Sequence, residues 1–287
     1  MSVWLKSILL FFPLVLLNCS PYAQKPLAEH KLPKTLKESS GLALSPDGKR
    51  VWIIQDQGNP DKLYELDREG KLISDYKLSH AQNHDWEDLA QDEAGNLYIG
   101  DFGNNDNERK DLTIYKLTAP NGKKDKLKAQ KITFEYPQQR KFPPKKEDLL
   151  FDAEAFFYRD GHFFIITKNR ADPFTGKALI YKVPAQAGHH KAQLVGSFIT
   201  CMDQHSCRIT GADISPSGKQ VALLGSGTLW LFSDFNGDDF TQGQLKIQYL
   251  QAPTQTEAVV FIDENTVLIA DEENHKTGRK LYTYSLE

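Results

Sequence analysis

The chain has 287 residues, 40% of them hydrophobic and 25% charged, with a formal net charge of -3. That length and apolar content suffice for one large β domain with its own core. The near-neutral balance excludes a strong field for nucleic acid or for an anionic membrane surface.

In chain order, the first segment stands apart from the fold. Lys6 precedes an apolar run from Ile8 to Leu17, which is short for a membrane span and suits the apolar region of an export signal. Two cleavage readings follow. Leu16-Leu17-Asn18-Cys19 is similar to a bacterial lipobox, with Cys19 as the acylated first residue and Ser20 directing outer-membrane sorting, facing the periplasm. Cleavage after Ala23 gives instead a soluble periplasmic or secreted protein. Residues 1–23 are therefore read as signal and tether, and residues 30–287 as a single domain. Beyond Cys19 only Cys201 and Cys207 remain. Export implies an oxidising compartment, where two nearby cysteines pair. A zinc site with His205 lacks the further Cys or His ligands it needs.

Five units then recur, starting at Ser40, Glu87, Glu154, Thr210 and Glu257. Each is an apolar stretch, a turn and a second apolar stretch, and each leads with an oxygen donor. Recurrence at a period of some tens of residues marks a repeat architecture. Two further short β-branched and aromatic runs follow each of the first four units, such as KLYELD and KLISDYKLS after the first. Four strands per unit make a propeller blade. The fifth unit has only one further run, KLYTYSLE, before the chain stops. The segment His30 to Lys37 is the spare strand predicted to complete it, closing the ring by pairing the two ends of the chain. The expected fold is all-β: a five-bladed β-propeller of four-stranded blades. The Lys-rich stretch from Lys123 to Lys146 reads as a solvated outer strand and loop.

In a propeller the first strand of each blade lines the central channel. The starts of these strands share a face with the loops between second and third strands. Those loops carry Asp56, Asp101, Lys168, Arg170, Gly225-Ser226-Gly227 and Asp271-Glu272. Three carboxylates and two hydroxyls around a narrow axis raise one another's pKa or recruit a cation. Oxygen-only donors suit a hard ion, and a wide ring completed by water fits Ca2+ better than Mg2+. The alternative is that these groups bond backbone amides at the blade starts. Glu38 and Asp213 are rival ligands in a shifted register. Asp56, Asp101 and Asp271 can each close a turn over their own backbone, and His84 reads as a surface or packing residue.

The order Ser40, Glu87, Glu154, Thr210, Glu257 resembles the calcium-activated nucleotidases of the apyrase type, five-bladed propellers with one calcium ligand per blade in the order Ser, Glu, Glu, Ser, Glu. HFFIITKNR, ending in Lys168 and Arg170, is similar to that family's third-blade strand leading into phosphate-binding residues, and WIIQDQGNPDKLYEL, with Asp56, looks like its acidic first-blade loop. Thr replaces Ser at the fourth position, and the second-blade loop DFGNN departs from the family. The resemblance implies a central Ca2+ and phosphoanhydride hydrolysis, with Lys168 and Arg170 neutralising phosphoryl charge and Asp56 or Asp101 orienting water. DWEDLA followed by YIGDFGNN looks like a pairing in uncharacterised bacterial propeller lipoproteins, which implies a fold and no reaction.

Two functions are therefore expected in turn: a binding or interaction module on the cell envelope with Ca2+ on its axis, and a Ca2+-dependent phosphohydrolase. A metal-dependent esterase or lactonase lacks its usual Asn-rich ligand set here. The partner is a small molecule, phosphorylated on the second reading, or a protein. Membrane contact is expected only through an acyl anchor, and the chain is expected to be a monomer.

Overall fold

The structure is a computed structural model and describes residues 23–120, 126–252 and 254–286. The expected export signal and the expected acylation site Cys19 lie outside the described residues. Among those described, no helix is long and apolar enough to cross a membrane.

Five blades of four antiparallel strands form the ring, the strands being sequential in the first four blades. The first blade holds Ser39–Leu44, Arg50–Gln55, Lys62–Asp67 and Leu72–Ser79. The second holds Trp86–Gln91, Asn96–Asp101, Thr113–Thr118 and Gln130–Glu135. The third holds Asp152–Arg159, His162–Lys168, Lys177–Pro184 and Gln193–Ile199. The fourth holds Ile209–Ile214, Gln220–Gly225, Thr228–Ser233 and Gln244–Tyr249. The fifth holds Thr256–Asp263, Thr266–Asp271 and Lys280–Ser285, and its outer strand is Ala28–Lys31 from the start of the chain.

The ring thus closes as expected, though two residues earlier than the sequence suggested. Ala28 pairs with Thr283 and Lys31 with Lys280. Pro33, which has no N–H to give to a ladder, follows directly. Leu32 and Leu36 are instead buried between the fifth and first blades.

Five apolar clusters fill the spaces between successive blades, one per interface. This explains the uninterrupted apolar second strands, such as Val51 to Ile54 and Phe163 to Ile166: both faces of each inner sheet are covered. Tight turns join first to second strands. In the first blade Gly48 takes φ 68°, which favours glycine, and the Asp47 carboxylate accepts from the Lys49 N–H at 3.1 Å. Outer edges are partly covered by parallel additions that the sequence reading did not contain. Leu127–Lys128 pairs with Leu78–Ser79, Gly188–Lys191 with residues 132–135, and Gln24 bridges to Leu250. Such cover blunts the unpaired edges that invite aggregation.

Where the first strands converge, the channel is narrow. A Cβ on Gly41 would lie 2.5 Å from the Leu89 nitrogen, and one on Gly211 would lie 2.9 Å from the Glu257 carbonyl oxygen. Both neighbours are backbone and cannot swing aside. Gly41→Ala is therefore expected to cost about 1–3 kcal/mol, read as a lower urea midpoint at unchanged slope. A shift within error would show that the first two blades separate more easily than this contact allows.

Two carboxylates lock the channel below its mouth. The inner edge of a first strand has N–H groups with no neighbouring strand. Asp88, fully buried, accepts from Phe156 N at 3.0 Å and Ala212 N at 3.4 Å, joining the second blade to the third and fourth. Asp213 accepts from Phe261 N at 2.7 Å, joining the fourth to the fifth. Asp213, a rival ligand on the sequence reading, is placed here as a strut between blades.

Candidate functional site

Each of the five leading residues sits at a β-bulge. The pairing of first and second strands skips Ser40, Glu87, Glu154, Thr210 and Glu257 in turn. A bulge leaves its extra residue out of the ladder and re-aims the side chain. Repetition of this device in all five blades brings the side chains to the channel mouth.

Four of the five line one cavity of about 190 Å3: Ser40, Glu87, Glu154 and Glu257. Asp56, Lys168 and Arg170 line it too, so the second-to-third strand loops contribute as expected. Thr210 borders a neighbouring cavity of about 160 Å3, and its hydroxyl donates to the Thr256 carbonyl at 2.7 Å. Asp101 stands behind the site. It accepts from Asp85 N at 3.0 Å and pairs with Arg109 at 3.1 Å, which occupies it structurally. Asp271 accepts from Lys280 N at 2.7 Å and Tyr282 Oη at 2.8 Å, holding its own turn. Glu38 is exposed and accepts from Asn59 at 2.6 Å. His84 lies 3.5 Å from Asp111 at the surface.

The funnel has two electrostatic halves. On the third-blade side the carboxylates carry internal counterions. Lys168 Nζ lies 2.8 Å from Glu154, and Arg170 reaches Glu154 at 2.8 Å and Asp152 at 2.6 Å. Burial acts to raise the Glu154 pKa, but Lys168 and Arg170 outweigh it and hold Glu154 below the usual range. Lys168 itself is raised despite burial by Glu154 and Glu257. The ring of five is therefore not bare: a lysine already answers part of its charge.

The first- and second-blade side differs. Asp56, Asp85 and Glu87 offer oxygens that lie within 4.8 Å of one another. Burial pushes Asp85 up to about 8, with Asp56 adding to the shift. Glu87 is driven well above its ordinary value by burial and by the Glu154 charge. Asp85 Oδ1 and Ser40 Oγ are buried without hydrogen-bond partners among the described residues.

Asp85 and Asp152 carry much of this chemistry and were absent from the sequence-derived site, whereas Glu272 lines the cavity from a loop expected to face it. A signal for both missing residues was present. Two residues before each ring position stand Glu38, Asp85, Asp152, Arg208 and Gln255, all polar. This second polar position repeats as faithfully as the ring and was not read as part of it.

Protonated buried carboxylates make the metal-free protein sensitive to alkali. Burial raises Asp213 and Asp152 to about 7 and Glu257 to about 8. Between the ordinary carboxylate range and these values the folded chain holds protons that the unfolded chain has released, so stability falls as pH rises. The Tm in metal-free buffer is expected to be several degrees higher near pH 5.5 than near pH 8.5. A flat profile across that window would mean that these groups are ionised in the folded state.

Cys201 and Cys207 are joined, with their Cα atoms 5.5 Å apart, in a loop preceding the fourth blade. A third cavity, of about 600 Å3, opens at the other end of the channel among the turns between first and second strands.

Residues 19–142, fewer than half of the 287, match the family model described as SdiA-regulated. No curated protein sequence matches the chain. Among solved structures, the PQQ-bound aldose sugar dehydrogenase from Streptomyces coelicolor superposes with a TM-score of 0.55 at 11% identity, covering 92% of this chain and 100% of that one. A gluconolactonase from Xanthomonas campestris gives 0.45 at 13% identity, covering 87% and 72%. The virginiamycin B lyase from Staphylococcus aureus with quinupristin gives 0.42 at 11%, covering 87% of this chain and 66% of the lyase. At such identities the first of these likenesses is one of fold alone.

Proposed function

We propose that the protein is a ligand-binding propeller of the bacterial cell envelope whose funnel holds Ca2+ against Asp56, Asp85 and Glu87. The observation that carries this reading is the three carboxylates within 4.8 Å of one another, with the orphaned Ser40 Oγ and Asp85 Oδ1 beside them. Oxygen donors alone, several of them anionic, match the preference of a hard cation of loose geometry. Bound Ca2+ would supply charge neutralisation and a polar anchor for a ligand. The disulfide and the export signal support the envelope as the setting. Calorimetric titration of the metal-free protein with CaCl2 tests the reading; no heat and no change in Tm would remove it.

A Ca2+-dependent phosphoanhydride hydrolase is the second reading, favoured by Lys168 and Arg170 lining the same cavity as the acidic groups. It ranks lower because both cations are committed to Glu154 and Asp152, and Asp101 is committed to Arg109. Phosphate release from ADP, UDP or GDP that appears with Ca2+ and vanishes with chelator would promote it.

A further inference from the structure

The position two residues before the ring is acidic or amide in four blades and cationic in one, where it is Arg208. This arginine borders the cavity of about 160 Å3 beside the acidic funnel, together with Lys168, Arg170, His205, Gln204 and Thr210. No carboxylate lines that cavity among the described residues. Lys168 and Arg170 have partners in Glu154 and Asp152. Arg208 forms no ion pair with them among the described residues: its Nε is buried with no hydrogen-bond partner, and its guanidinium lies 5.9 Å from the centre of the Phe174 ring. Burial and the Arg170 charge hold its pKa below the ordinary arginine value, outweighing the Asp152 and Glu154 charges.

The wall carrying these groups is fixed in place. Gln204 and His205 belong to the loop closed by Cys201 and Cys207. Thr200 Oγ1 donates to the Cys207 carbonyl at 2.6 Å and Thr200 N donates to the Gly176 carbonyl at 3.0 Å, tying the loop to the third blade.

We propose that this pocket is an oxyanion subsite, taking the phosphate or carboxylate group of a small ligand through the Arg208 guanidinium, with the disulfide loop holding its rim. A planar guanidinium with a free N–H is suited to either group. The proposal deepens the reading of the funnel as a ligand site and rests on it, but it does not rest on calcium.

The test uses the full mature chain in metal-free buffer, titrated calorimetrically with inorganic phosphate and, separately, with malonate. Either probe is expected to bind with a Kd of about millimolar order. Arg208→Gln is expected to weaken it about tenfold, and Arg208→Lys less, because a point charge replaces the fork. Gln204→Glu, an exposed change that leaves the core untouched, is expected to give a similar loss by placing negative charge at the rim, so the result does not hang on one variant folding. The double change Cys201→Ser with Cys207→Ser is expected to weaken binding severalfold by freeing the loop. Binding of phosphate but not malonate, or the reverse, supports the subsite and selects the ligand class. Absence of binding by both probes up to about 50 mM, well above the expected range, overturns it. So does binding that Arg208→Gln and Gln204→Glu both leave unchanged. Malonate binding that appears only with Ca2+ and survives both variants overturns the subsite while leaving the calcium reading standing.

Discussion

Calcium at a hundredfold excess over its dissociation constant is expected to stabilise the protein by about 2.7 kcal/mol and to raise Tm by about 5–10 °C. The magnitude follows from mass action, and its site dependence follows from the funnel. Glu87 is buried, lies at a bulge, and is one of three carboxylates whose oxygens fall within 4.8 Å of one another. Glu87→Gln keeps the shape and removes the charge. In metal-free buffer the variant is expected to match or exceed the wild-type Tm, because burial already disfavours the ionised form. On adding Ca2+ it is expected to lose most of the rise. Glu38→Gln, at an exposed position paired with Asn59, serves as the control and is expected to keep it. Thermal melts of the three proteins, with and without calcium, check this. A Glu87→Gln protein that responds to calcium as fully as the wild type would move the ion elsewhere.

Removal of residues 1–31 is expected to be the most damaging change to stability. It strips the outer strand from the fifth blade, including the four pairs from Ala28 with Thr283 to Lys31 with Lys280. It also removes the Leu27 N–H bond to the Thr283 carbonyl at 2.8 Å. At roughly 1 kcal/mol per hydrogen bond, with the burial lost along the strand, the cost is at least about 4 kcal/mol and Tm falls by about 10 °C or more. The Lys280–Ser285 strand becomes an open edge, so light scattering is expected to rise on concentration. A truncated chain melting within about 3 °C of the full chain, a change worth roughly 1 kcal/mol, would show that the ring does not depend on this closure.

The blade plan was legible because each blade must bury both faces of its sheet. That need writes apolar second strands such as Val51 to Ile54, and turn residues such as Gly48, seven or eight residues after the leading oxygen. Ring closure was legible from a deficit: the last unit lacks a strand and the chain start has one to spare. The edge-covering segments Leu127–Lys128 and Gly188–Lys191 were not, since two to four residues in parallel pairing carry no periodic signal.

At the site, the sequence by itself determined the five leading residues and the loops that face the same mouth, because repetition places equivalent positions at equivalent points of a ring. Only the tertiary structure decided which charges meet. Lys168, expected to neutralise phosphoryl charge, lies against Glu154, while Asp101 is taken by Arg109 and Thr210 by a carbonyl of the fifth blade. Asp56, from one blade, stands with Asp85 and Glu87 from the next. The physical reason is that spacing along a strand sets which way a backbone points, whereas charge balance depends on distances of a few ångströms between strands and loops, within a blade for Lys168 and Glu154 and between blades for Asp56 and Glu87.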